Sequence, residues 1–446
     1  MIAIIGAGPA GLAAARAAAE AGADVLVLDS APRPGGQYWR HREDVQGYKA
    51  HRASGYFSSV INSANITYIY GAQVWSAIRN ESSVTLNYLH QGFEKSITVE
   101  KVILATGAYD RSIPFTGWEL PGSMTPGAAQ ALLKGHGVIA GKKILVAGTG
   151  PFLLPVAVGL AEAGAEVLGI VEAHSPLRWL RSPLALILNP QKALELLYYL
   201  RKIRKYSLKV SFGRAVIGFN GNTATLSKVK SNLEGKGEVT QIECDVVAAG
   251  WGFNPDVTLG GILGCTQRVD RDGTVVFDVD REQRSSQKNI WIAGEATGIG
   301  GADLALAEGV VAALSVLNAS IPFSLRFKRF RLQLFARALQ RSYPVGNGWQ
   351  SWISSESKIC RCEEVSHGEI CDSVSQLSAQ DSRTSKLFTR AGMGLCQGRV
   401  CSRNVSEIIA CASGHKVSDQ ERISYSNRPI AAPISLGVLA DGINLQ

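Results

Sequence analysis

Long apolar runs are missing from this 446-residue sequence. The nearest candidate for a membrane span, "ILVAGTGPFLLPVAVGLAEAG" at 144–164, is interrupted by glycine, threonine and proline, whereas a spanning helix needs about 18 or more mostly apolar residues in succession. The apolar start, "MIAIIGAGPAGLAAARAAAEAGADV", has neither the basic first residues nor the cleavage site of a signal peptide. The sequence therefore predicts no transmembrane segment and a cytoplasmic protein, attached at most peripherally to the inner membrane.

Cysteine is also scarce, with eight residues in the chain. Without a secretory signal, these residues do not indicate a disulfide framework, and thiols in such a protein serve metal binding or redox chemistry instead. We find no general base, nucleophilic triad or arginine pair that the sequence places over a substrate, so the catalytic residues are unknown.

Signatures of nucleic-acid binding are absent as well. The net charge is +9, but the basic residues look scattered, and no recognition helix or zinc finger accompanies them. We interpret the excess as solvated surface charge or as charge that docks a partner, and we predict no nucleic-acid partner.

A glycine-rich turn follows the first apolar run, in "MIAIIGAGPAGLAAARAAAEAG". Gly6 permits the tight turn, Gly8 lets the backbone approach a pyrophosphate, and Gly11 lets the helix pack close to the strand. The helix that starts around Pro9 and Ala10 then directs its N-terminus at the phosphate charge. Asp29 ends the next strand 18 residues after Gly11 and is placed, with Ser30 beside it, to bind the ribose. The pattern predicts a dinucleotide site.

A second unit of the same kind lies at 142–172, "KKILVAGTGPFLLPVAVGLAEAGAEVLGIVE". Gly148 and Gly150 are present, but Leu153 replaces the third glycine, which holds the helix and strand further apart. Glu172 stands where a ribose-binding acid belongs and would disfavour a 2′-phosphate. NAD or an adenine nucleotide (ATP or ADP) would fit such a site, and a purely structural turn is the alternative.

The two units predict an α/β fold with two dinucleotide-binding, Rossmann-like domains, because each unit needs its own parallel sheet. The strand and glycine-rich turn in "KNIWIAGEATGIGGADLALAEGVVAAL" follow the second unit, so the second domain is inserted in the first. A basic amphipathic helix, capped by Ser324, is expected to pack on the body through a face that includes Phe327; a membrane-surface helix is the alternative. The predicted boundaries are 1–115 and 250–320 for the first domain, 116–249 for the second, 321–357 for a linker with the amphipathic helix, 358–425 for a small α-rich domain, and 426–446 for an extended tail.

Four cysteines near the end of the chain have a regular spacing. Cys360, Cys362, Cys396 and Cys401 form the pattern C-x-C-x33-C-x4-C, and four soft thiolates suit either zinc or an iron–sulfur cluster. Zinc ribbons use longer C-x2–4-C loops, which favours the cluster over zinc or free thiols. Between the pairs, "SHGE" at 366–369 predicts a capped helix.

Three segments resemble the FAD motifs of flavoprotein reductases with two dinucleotide domains: "PGGQ" at 34–37, "ILATGAYDRSIPFTG" at 103–117 and "IWIAGEATGIGGADLA" at 290–305. The resemblance implies FAD at the first site. The disulfide reductases of this superfamily carry a cysteine pair shortly after the first helix, and the absence of cysteine from "GGQYWRHREDVQGYKA" excludes dithiol chemistry at the flavin. The residues that the resemblance places along the cofactor are Gly35, Gly36, Gln37, Ala105, Thr106, Gly107, Gly294, Glu295, Gly301 and Ala302.

The segments "CRCEEV" and "GMGLCQGRVC" resemble the [2Fe–2S] ferredoxin-like module of the bacterioferritin-associated ferredoxin (BFD) type. The four-residue spacing of the second pair departs from the two residues of the smallest members. This resemblance implies that the four cysteines ligate a [2Fe–2S] cluster, while zinc and free thiols stay as alternatives.

Nearly the whole chain resembles the FAD-containing α subunit of bacterial multi-subunit amine dehydrogenases, such as opine oxidases, D-hydroxyproline dehydrogenase and hydrogen cyanide synthase. The likeness implies a substrate-oxidising β subunit related to flavoprotein amino-acid oxidases, a small iron–sulfur γ subunit, and a quinone or other acceptor. This chain would relay electrons between them. The alternatives are a stand-alone NADH-dependent reductase and a non-catalytic scaffold subunit.

Overall fold

The structure, a computed structural model, describes residues 1–42, 55–57, 60 and 63–443. The predicted strand, glycine turn, helix and strand form at the start of the chain, and every residue of the two strands is buried. The helix starts at Pro9, which is favoured at this position because its missing N–H has no partner there anyway. The first part of the chain contains β1 (Ile2–Ile5), α1 (Pro9–Glu20), β2 (Val25–Asp29), β3 (Ile66–Tyr70), β4 (Gln73–Arg79), β5 (Val84–His90), β6 (Phe93–Val99), β7 (Lys101–Leu104) and β8 (Ala108–Asp110).

The second unit also forms as predicted, with strand, helix and strand inside the limits 142–172. The two strands of this unit belong to a parallel sheet, and an antiparallel three-stranded sheet follows them in the chain. This middle part contains β9 (Ser123–Met124), α2 (Pro126–His136), β10 (Lys143–Gly148), α3 (Leu153–Glu162), β11 (Glu166–Glu172), a 3₁₀ turn (Pro176–Arg181), α4 (Pro183–Ile187), α5 (Pro190–Lys205), β12 (Val210–Phe212), β13 (Arg214–Phe219), β14 (Thr223–Val229), β15 (Gly235–Glu243) and β16 (Val246–Gly250).

The remaining chain returns to the first sheet and then forms a largely helical C-terminal region. It contains β17 (Phe253–Pro255), α6 (Thr258–Ile262), β18 (Gln267–Val269), β19 (Val275–Phe277), β20 (Ile290–Ile292), a 3₁₀ turn (Gly294–Thr297), α7 (Ala302–Val316), α8 (Phe323–Ser342), a 3₁₀ turn (Asn347–Trp352), β21 (Lys358–Cys360), β22 (Val365–Ser366), α9 (His367–Ser375), α10 (Ser382–Thr389), α11 (Ser402–Ala412), α12 (Asp419–Ser426) and α13 (Leu436–Ile443).

Strand pairing confirms the inserted arrangement. One five-stranded parallel sheet has the order β20-β7-β1-β2-β3, so its edge strand β20 comes from after the middle part of the chain. A second five-stranded parallel sheet has the order β12-β11-β10-β16-β9. The two chain crossings, β8 and β17, pair antiparallel with each other. The carboxyl ends of β1 and β10 therefore each carry a glycine turn, which is where doubly wound folds bind ligands.

Two details of the C-terminal region differ from the sequence-based expectations. Helix α8 is capped at Pro322 without a side-chain hydrogen bond, so Ser324 is not its cap, because the helix begins one residue before that serine. Its buried face carries Leu332 and Ala336, whereas Phe327 is 47% exposed. The predicted extended tail contains helix α13, which forms although two of the eight residues in "LGVLADGI" are glycine; residues 444–446 of that tail lie outside the described residues. No helix in the described part of the chain is long and apolar enough to cross a membrane.

Candidate cofactor sites

The first glycine turn is as tightly packed as the sequence predicts. A Cβ atom on Gly6, whose φ is +102°, would lie 2.3 Å from the Ala105 carbonyl oxygen, and one on Gly11 would lie 1.8 Å from the Gly6 oxygen. Nothing lies within 4 Å of a Cβ built on Gly8. Helix α1 has no acidic residue in its first turn and no side-chain cap, so its N-terminal amides remain available for a phosphate.

Asp29 holds this turn in place. The residue is buried, and its carboxylate accepts hydrogen bonds from the Ala7 and Ala31 amides. Burial raises the pKa of this carboxyl group, and the two amides oppose the rise. The sequence assigned Asp29 to the ribose; the structure adds that the side chain fixes the backbone of the turn, and the ribose contact stays a prediction.

The "PGGQ" segment lies directly against the same turn. The Gly35 amide donates to the Ala7 carbonyl at 2.7 Å, and a Cβ on Gly36 would lie 2.9 Å from the Gly8 Cα. These contacts place both glycines beside the open space at Gly8. Ser30 and Gln37 are exposed at the edge of this region, and the Gln37 side-chain oxygen accepts a hydrogen bond from Arg40.

The segment after β7 closes another side of the site. The Ala105 amide donates to the Ile5 carbonyl at 2.8 Å. The Thr106 hydroxyl donates to the Asp256 carbonyl at 2.7 Å, and the Asp256 amide donates back to the Gly107 carbonyl. The predicted FAD segment is therefore connected to the stretch that follows the inserted domain.

A second helix N-terminus points into the same region. Gly294, with φ +81°, packs so closely on α1 that a Cβ would lie 2.8 Å from the Ala10 Cβ. Gly301 is the N-cap of α7, which begins at Ala302, and no side chain caps it. Glu295, whose pKa burial raises to about 7, accepts the Gly301 amide at 2.8 Å. It shapes the turn, while the predicted contact with the ribityl chain stays a prediction.

Glu308 is a residue that sequence reasoning missed. It is 3% exposed, and its carboxylate accepts the Gly294 amide and the Thr297 hydroxyl, both at 3.0 Å. Burial raises its pKa to about 7. A charged residue within the apolar helix "ADLALAEGVVAAL" was the available signal, because such a residue is buried only when it has partners.

The second glycine turn differs from the first at the helix. A Cβ on Gly148 would lie 1.7 Å from the Gly250 oxygen, and Gly150 faces open space. However, α3 begins only at Leu153, whose amide already donates to the Gly150 carbonyl. Leu153 is buried in the core. The helix amide at this position is therefore engaged within the chain.

The Glu172 carboxylate is also engaged in hydrogen bonds with neighbouring residues of the chain. Its oxygens accept the Gly150 amide and the Thr149 hydroxyl at 2.8 Å and the His174 amide at 3.0 Å. Burial raises its pKa to about 7, which the hydrogen bonds oppose. This geometry fits a structural role for Glu172, and a nucleotide at the second site stays a prediction.

The four predicted ligand cysteines come together in the C-terminal region. Cys360 and Cys401 are buried, Cys396 is half-buried and Cys362 is exposed. The Cys401 thiol hydrogen-bonds to Cys360 and, together with the Gly392, Glu363 and Cys362 amides, lowers the Cys360 pKa to about 5 despite its burial. Cys362 also interacts with Cys396, but burial, as the largest cause, raises the pKa of Cys362. Because thiolates are the form that binds metal, a donor set of this kind fits an iron–sulfur cluster.

Glycines shape the loop that carries the second cysteine pair. The Gly392 amide lies 3.5 Å from the Cys360 sulfur. A Cβ on Gly394 would lie 2.2 Å from the Cys362 Cβ. Amide donors to thiolate sulfurs tune cluster potentials, and the Gly392 amide is placed at such a sulfur. No group of three or more His, Cys, Asp or Glu side chains in the described ranges meets the geometry of a metal-ion site.

A buried ion network, which the sequence did not reveal, joins the cysteine region to the FAD region. Glu407 on α11 lies 3.5 Å from Arg111 and 3.2 Å from Arg403, and it accepts the Trp349 indole N–H at 3.1 Å. Burial alone would raise the pKa of Glu407, but the arginines outweigh burial and lower it. Arg111 belongs to the "ILATGAYDRSIPFTG" segment, so the network connects three parts of the chain.

Comparison with known proteins identifies the family to which the chain belongs. Residues 1–309 match the family model of pyridine nucleotide-disulphide oxidoreductases, and residues 358–411 match the BFD-like [2Fe-2S] binding domain. The chain belongs to the pyridine nucleotide-disulphide oxidoreductase family and carries a BFD-like domain. It is an oxidoreductase with FAD and a [2Fe–2S] cluster as cofactors, as the motifs predicted.

Individual relatives show which members of the family this chain resembles. The chain is 32% identical to an opine oxidase subunit of Agrobacterium tumefaciens, over 98% of this chain and 90% of the relative. It is 30% identical to the HcnB subunit of hydrogen cyanide synthase from Pseudomonas protegens, over 93% and 92%. The L-proline dehydrogenase structure from P. horikoshii has the same fold, with a TM-score of 0.65 at 17% identity, over 98% of this chain and 78% of that one. The predicted family resemblance is confirmed.

Replacing Glu308 with Gln should flatten the pH dependence of stability. The folded-state pKa of Glu308 is raised from 4.5 to about 7, so the native state holds a proton that the unfolded state releases within this window. Stability of the wild-type protein therefore falls as pH rises from 4.5 to 7, by at most roughly 3 kcal/mol for this residue. Urea unfolding across this range should show a smaller decline in Glu308→Gln. An unchanged pH profile would contradict the assignment. Glu243→Gln, which changes an exposed glutamate in the same way, is the control.

Replacing Gly394 with Ala should lower the iron content. The new methyl group would collide with Cys362 and displace one ligand, whereas the flavin region is untouched. We expect iron and acid-labile sulfide to fall at least about twofold with the FAD content unchanged, because a misplaced ligand weakens metal binding. Gly437→Ala, which meets no atom within 4 Å, should keep full iron. Full iron in Gly394→Ala would argue against this loop as the cluster site.

Replacing Glu407 with Gln should destabilise the protein. The change leaves Arg111 and Arg403 buried without their carboxylate, and breaking a buried pair in this way costs about 3–5 kcal/mol. Urea unfolding followed by tryptophan fluorescence measures the loss. Glu234→Gln breaks an exposed pair with Lys230 and should cost less than about 1 kcal/mol. Equal effects of both variants would show that the network does not stabilise the fold.

Proposed function

We propose that this chain is the FAD- and [2Fe–2S]-containing subunit of a heteromeric dehydrogenase for opines, D-hydroxyproline or related secondary amines. A separate flavoprotein β subunit oxidises the substrate, and this chain relays the electrons to a quinone or other external acceptor. A small iron–sulfur γ subunit completes the complex. Two relatives, one from an opine oxidase and one from a hydrogen cyanide synthase, are named as subunits of their enzymes, which supports a multi-subunit arrangement.

The observation that carries the proposal is the direct connection between the cysteine loop and the FAD region. Arg399 donates to the Cys396 carbonyl at 3.3 Å and lies 3.5 Å from the Thr258 hydroxyl. Arg428 donates to the Gln397 carbonyl at 2.8 Å and to the same Thr258 hydroxyl at 3.2 Å. Thr258 lies two residues after Asp256, whose backbone is paired with the FAD segment.

These contacts support a relay because they hold two redox sites in a fixed relation. Bound flavin supplies the capacity to exchange electrons singly or in pairs, and a [2Fe–2S] cluster exchanges single electrons. The guanidinium groups of Arg399 and Arg428 each contact both the loop of the predicted ligands and Thr258, which links the two regions of the chain. The chain's own part in the reaction is therefore to orient both cofactors.

The outer side of the cysteine region supports a partner. Cys362 is exposed, and near the ligands Met393 is 40% and Leu395 79% exposed. Leu387 and Phe388 on α10 are exposed as well. Exposed apolar clusters of this kind mark protein interaction sites. This is the surface at which we place the electron-donating subunit.

The stand-alone NADH reductase is less well supported. Leu153 and the occupied Glu172 leave the second glycine turn without a free helix amide at Leu153 or an unengaged acid. NAD or ATP/ADP at that site remains part of the proposal only as a bound, non-reacting nucleotide. Bleaching of the purified subunit by NADH would support the reductase instead, and cofactors that stay oxidised when substrate reduces the β subunit would support a scaffold.

Replacing Cys396 with Ala should interrupt the relay. The variant should keep its FAD absorption, lose iron, and reduce artificial dyes at least about tenfold more slowly in the reconstituted complex, because the cluster loses one of four ligands. The control is Cys411→Ala, an exposed cysteine outside the ligand set. Full dye reduction by an iron-depleted Cys396→Ala complex would show that the cluster is not on the route.

A further inference from the structure

Helix α5 packs on the core only through Tyr199 and Ile203, and the part of the chain that the structure describes leaves most of its other apolar side chains exposed. Among its side chains, Leu194, Leu196, Leu197 and Leu200 are between 42% and 69% exposed, and none of the helix residues is buried. Surface helices of globular proteins normally bury an apolar stripe against the core. The preceding segment adds Leu177, Leu180, Leu184, Leu186 and Ile187, with Leu180 at 75% and Ile187 at 72% exposure.

Helix α8 packs directly on this segment and extends the same surface. The Asn189 side chain donates to the Arg331 carbonyl at 2.9 Å, and Arg331 donates to the Leu188 carbonyl at 3.1 Å. The Trp179 and Phe335 rings lie 5.3 Å apart. Residues 176–205 and 323–342 thus form one unit, called here the basic–apolar surface. Phe323, Phe327 and Phe330 of α8 are exposed on it.

The positive charge of the protein is concentrated in this surface. Residues 176–205 contain seven basic residues and one acidic residue, and residues 323–342 contain six basic residues and none acidic. The two segments therefore carry +12, of which the buried Arg329 contributes one charge, whereas the whole chain carries +9, so the rest of the chain carries −3. Neighbouring acids pair with Lys192 and Lys202, which leaves a large excess. The basic residues that look scattered along the sequence are gathered by the fold.

The chemistry of this surface fits an anionic lipid bilayer better than a protein partner. Its exposed apolar residues are mainly leucine, isoleucine and phenylalanine, interleaved with lysine and arginine, which is the composition of helices that lie in a membrane interface. The core of a protein interface is instead depleted of charged residues, whereas lysine and arginine alternate with the apolar residues along both segments of this surface. Long basic side chains also reach lipid phosphates while their apolar stems stay buried.

We propose that the basic–apolar surface binds peripherally to a bilayer that contains anionic phospholipids. Leucine and phenylalanine side chains enter the boundary between headgroups and acyl chains, and the basic side chains contact the phosphates. This inference rests on exposure and charge alone and does not depend on the proposed electron relay.

Sedimentation of the holoprotein with lipid vesicles tests the proposal. The wild-type protein should bind vesicles that contain phosphatidylglycerol and should not bind vesicles of phosphatidylcholine alone, and high salt should weaken the binding. Leu180→Asp with Ile187→Asp should reduce the partition coefficient at least about tenfold. Arg201→Glu with Arg204→Glu should reduce it at least about 25-fold, since each basic charge near an anionic surface contributes about a fivefold effect.

Matched variants outside the surface serve as controls. Phe93→Asp changes an apolar residue that is 68% exposed, and Arg271→Glu with Lys288→Glu reverses two exposed charges; both should bind vesicles like the wild type. Retained FAD absorption and an unchanged circular dichroism spectrum establish that each variant is folded. If Leu180→Asp with Ile187→Asp does not fold, Arg201→Glu with Arg204→Glu provides the test.

Three results would overturn the proposal. One is a wild-type protein that does not sediment with phosphatidylglycerol vesicles. Another is equal binding by surface and control variants. The third is loss of a co-purifying subunit from the surface variants without any vesicle binding by the wild type, which would identify the surface as a protein interface. Dye reduction by the complex reports on the electron relay separately.

Discussion

The backbone amides of the glycine-rich turns are held by buried carboxylates, and the cofactor regions depend on this arrangement. Asp29 accepts the Ala7 amide, Glu172 the Gly150 amide, Glu295 the Gly301 amide and Glu308 the Gly294 amide. Glycines allow the close approach of strand and helix, but they provide no side chain that could accept hydrogen bonds from the backbone amides of the turn. Each turn therefore takes its acceptor from elsewhere, and burial raises the pKa of all four acids.

Charged side chains, of which Glu407 and Arg111 are buried and Arg399 and Arg428 half-buried, link the cofactor regions. Glu407 contacts Arg111 of the FAD segment, and Arg399 and Arg428 contact both the cysteine loop and Thr258. Charges are costly to bury unless they are paired in good geometry, so the pairs restrict how the C-terminal domain sits on the rest of the chain. The basic–apolar surface lies on other elements, the segment from 176 to 205 and α8, so a membrane contact and a partner at Cys362 would use separate parts of the protein.

Much of the fold and of the candidate site could be predicted from local patterns. Both glycine turns, their strands and helices, and the capping box of Ser366 and Glu369 all follow from neighbouring residues. Glu407 and Arg399 could not be assigned, because each has a partner far away in the sequence: Arg111 and Glu407 are 296 positions apart, and Thr258 and Arg399 are 141 positions apart. Glu308 was missed although its position in an apolar helix was a signal. The prediction that Ser324 caps α8 was wrong because a shift of a single residue changes which residue is the cap. The prediction of an extended tail was wrong because weak propensities decide whether a short helix forms.

The sequence by itself determined which residues turn the backbone and which cysteines are predicted to ligate iron, because the missing side chain of glycine and the softness of thiolates are properties of single residues. Tertiary structure alone decided which carboxylates satisfy the turns, which arginines join the domains and which apolar helix is left uncovered. Burial and charge pairing arise only when segments that are distant in the sequence pack together. The same packing gathers the basic residues of a chain with a net charge of +9 into one surface.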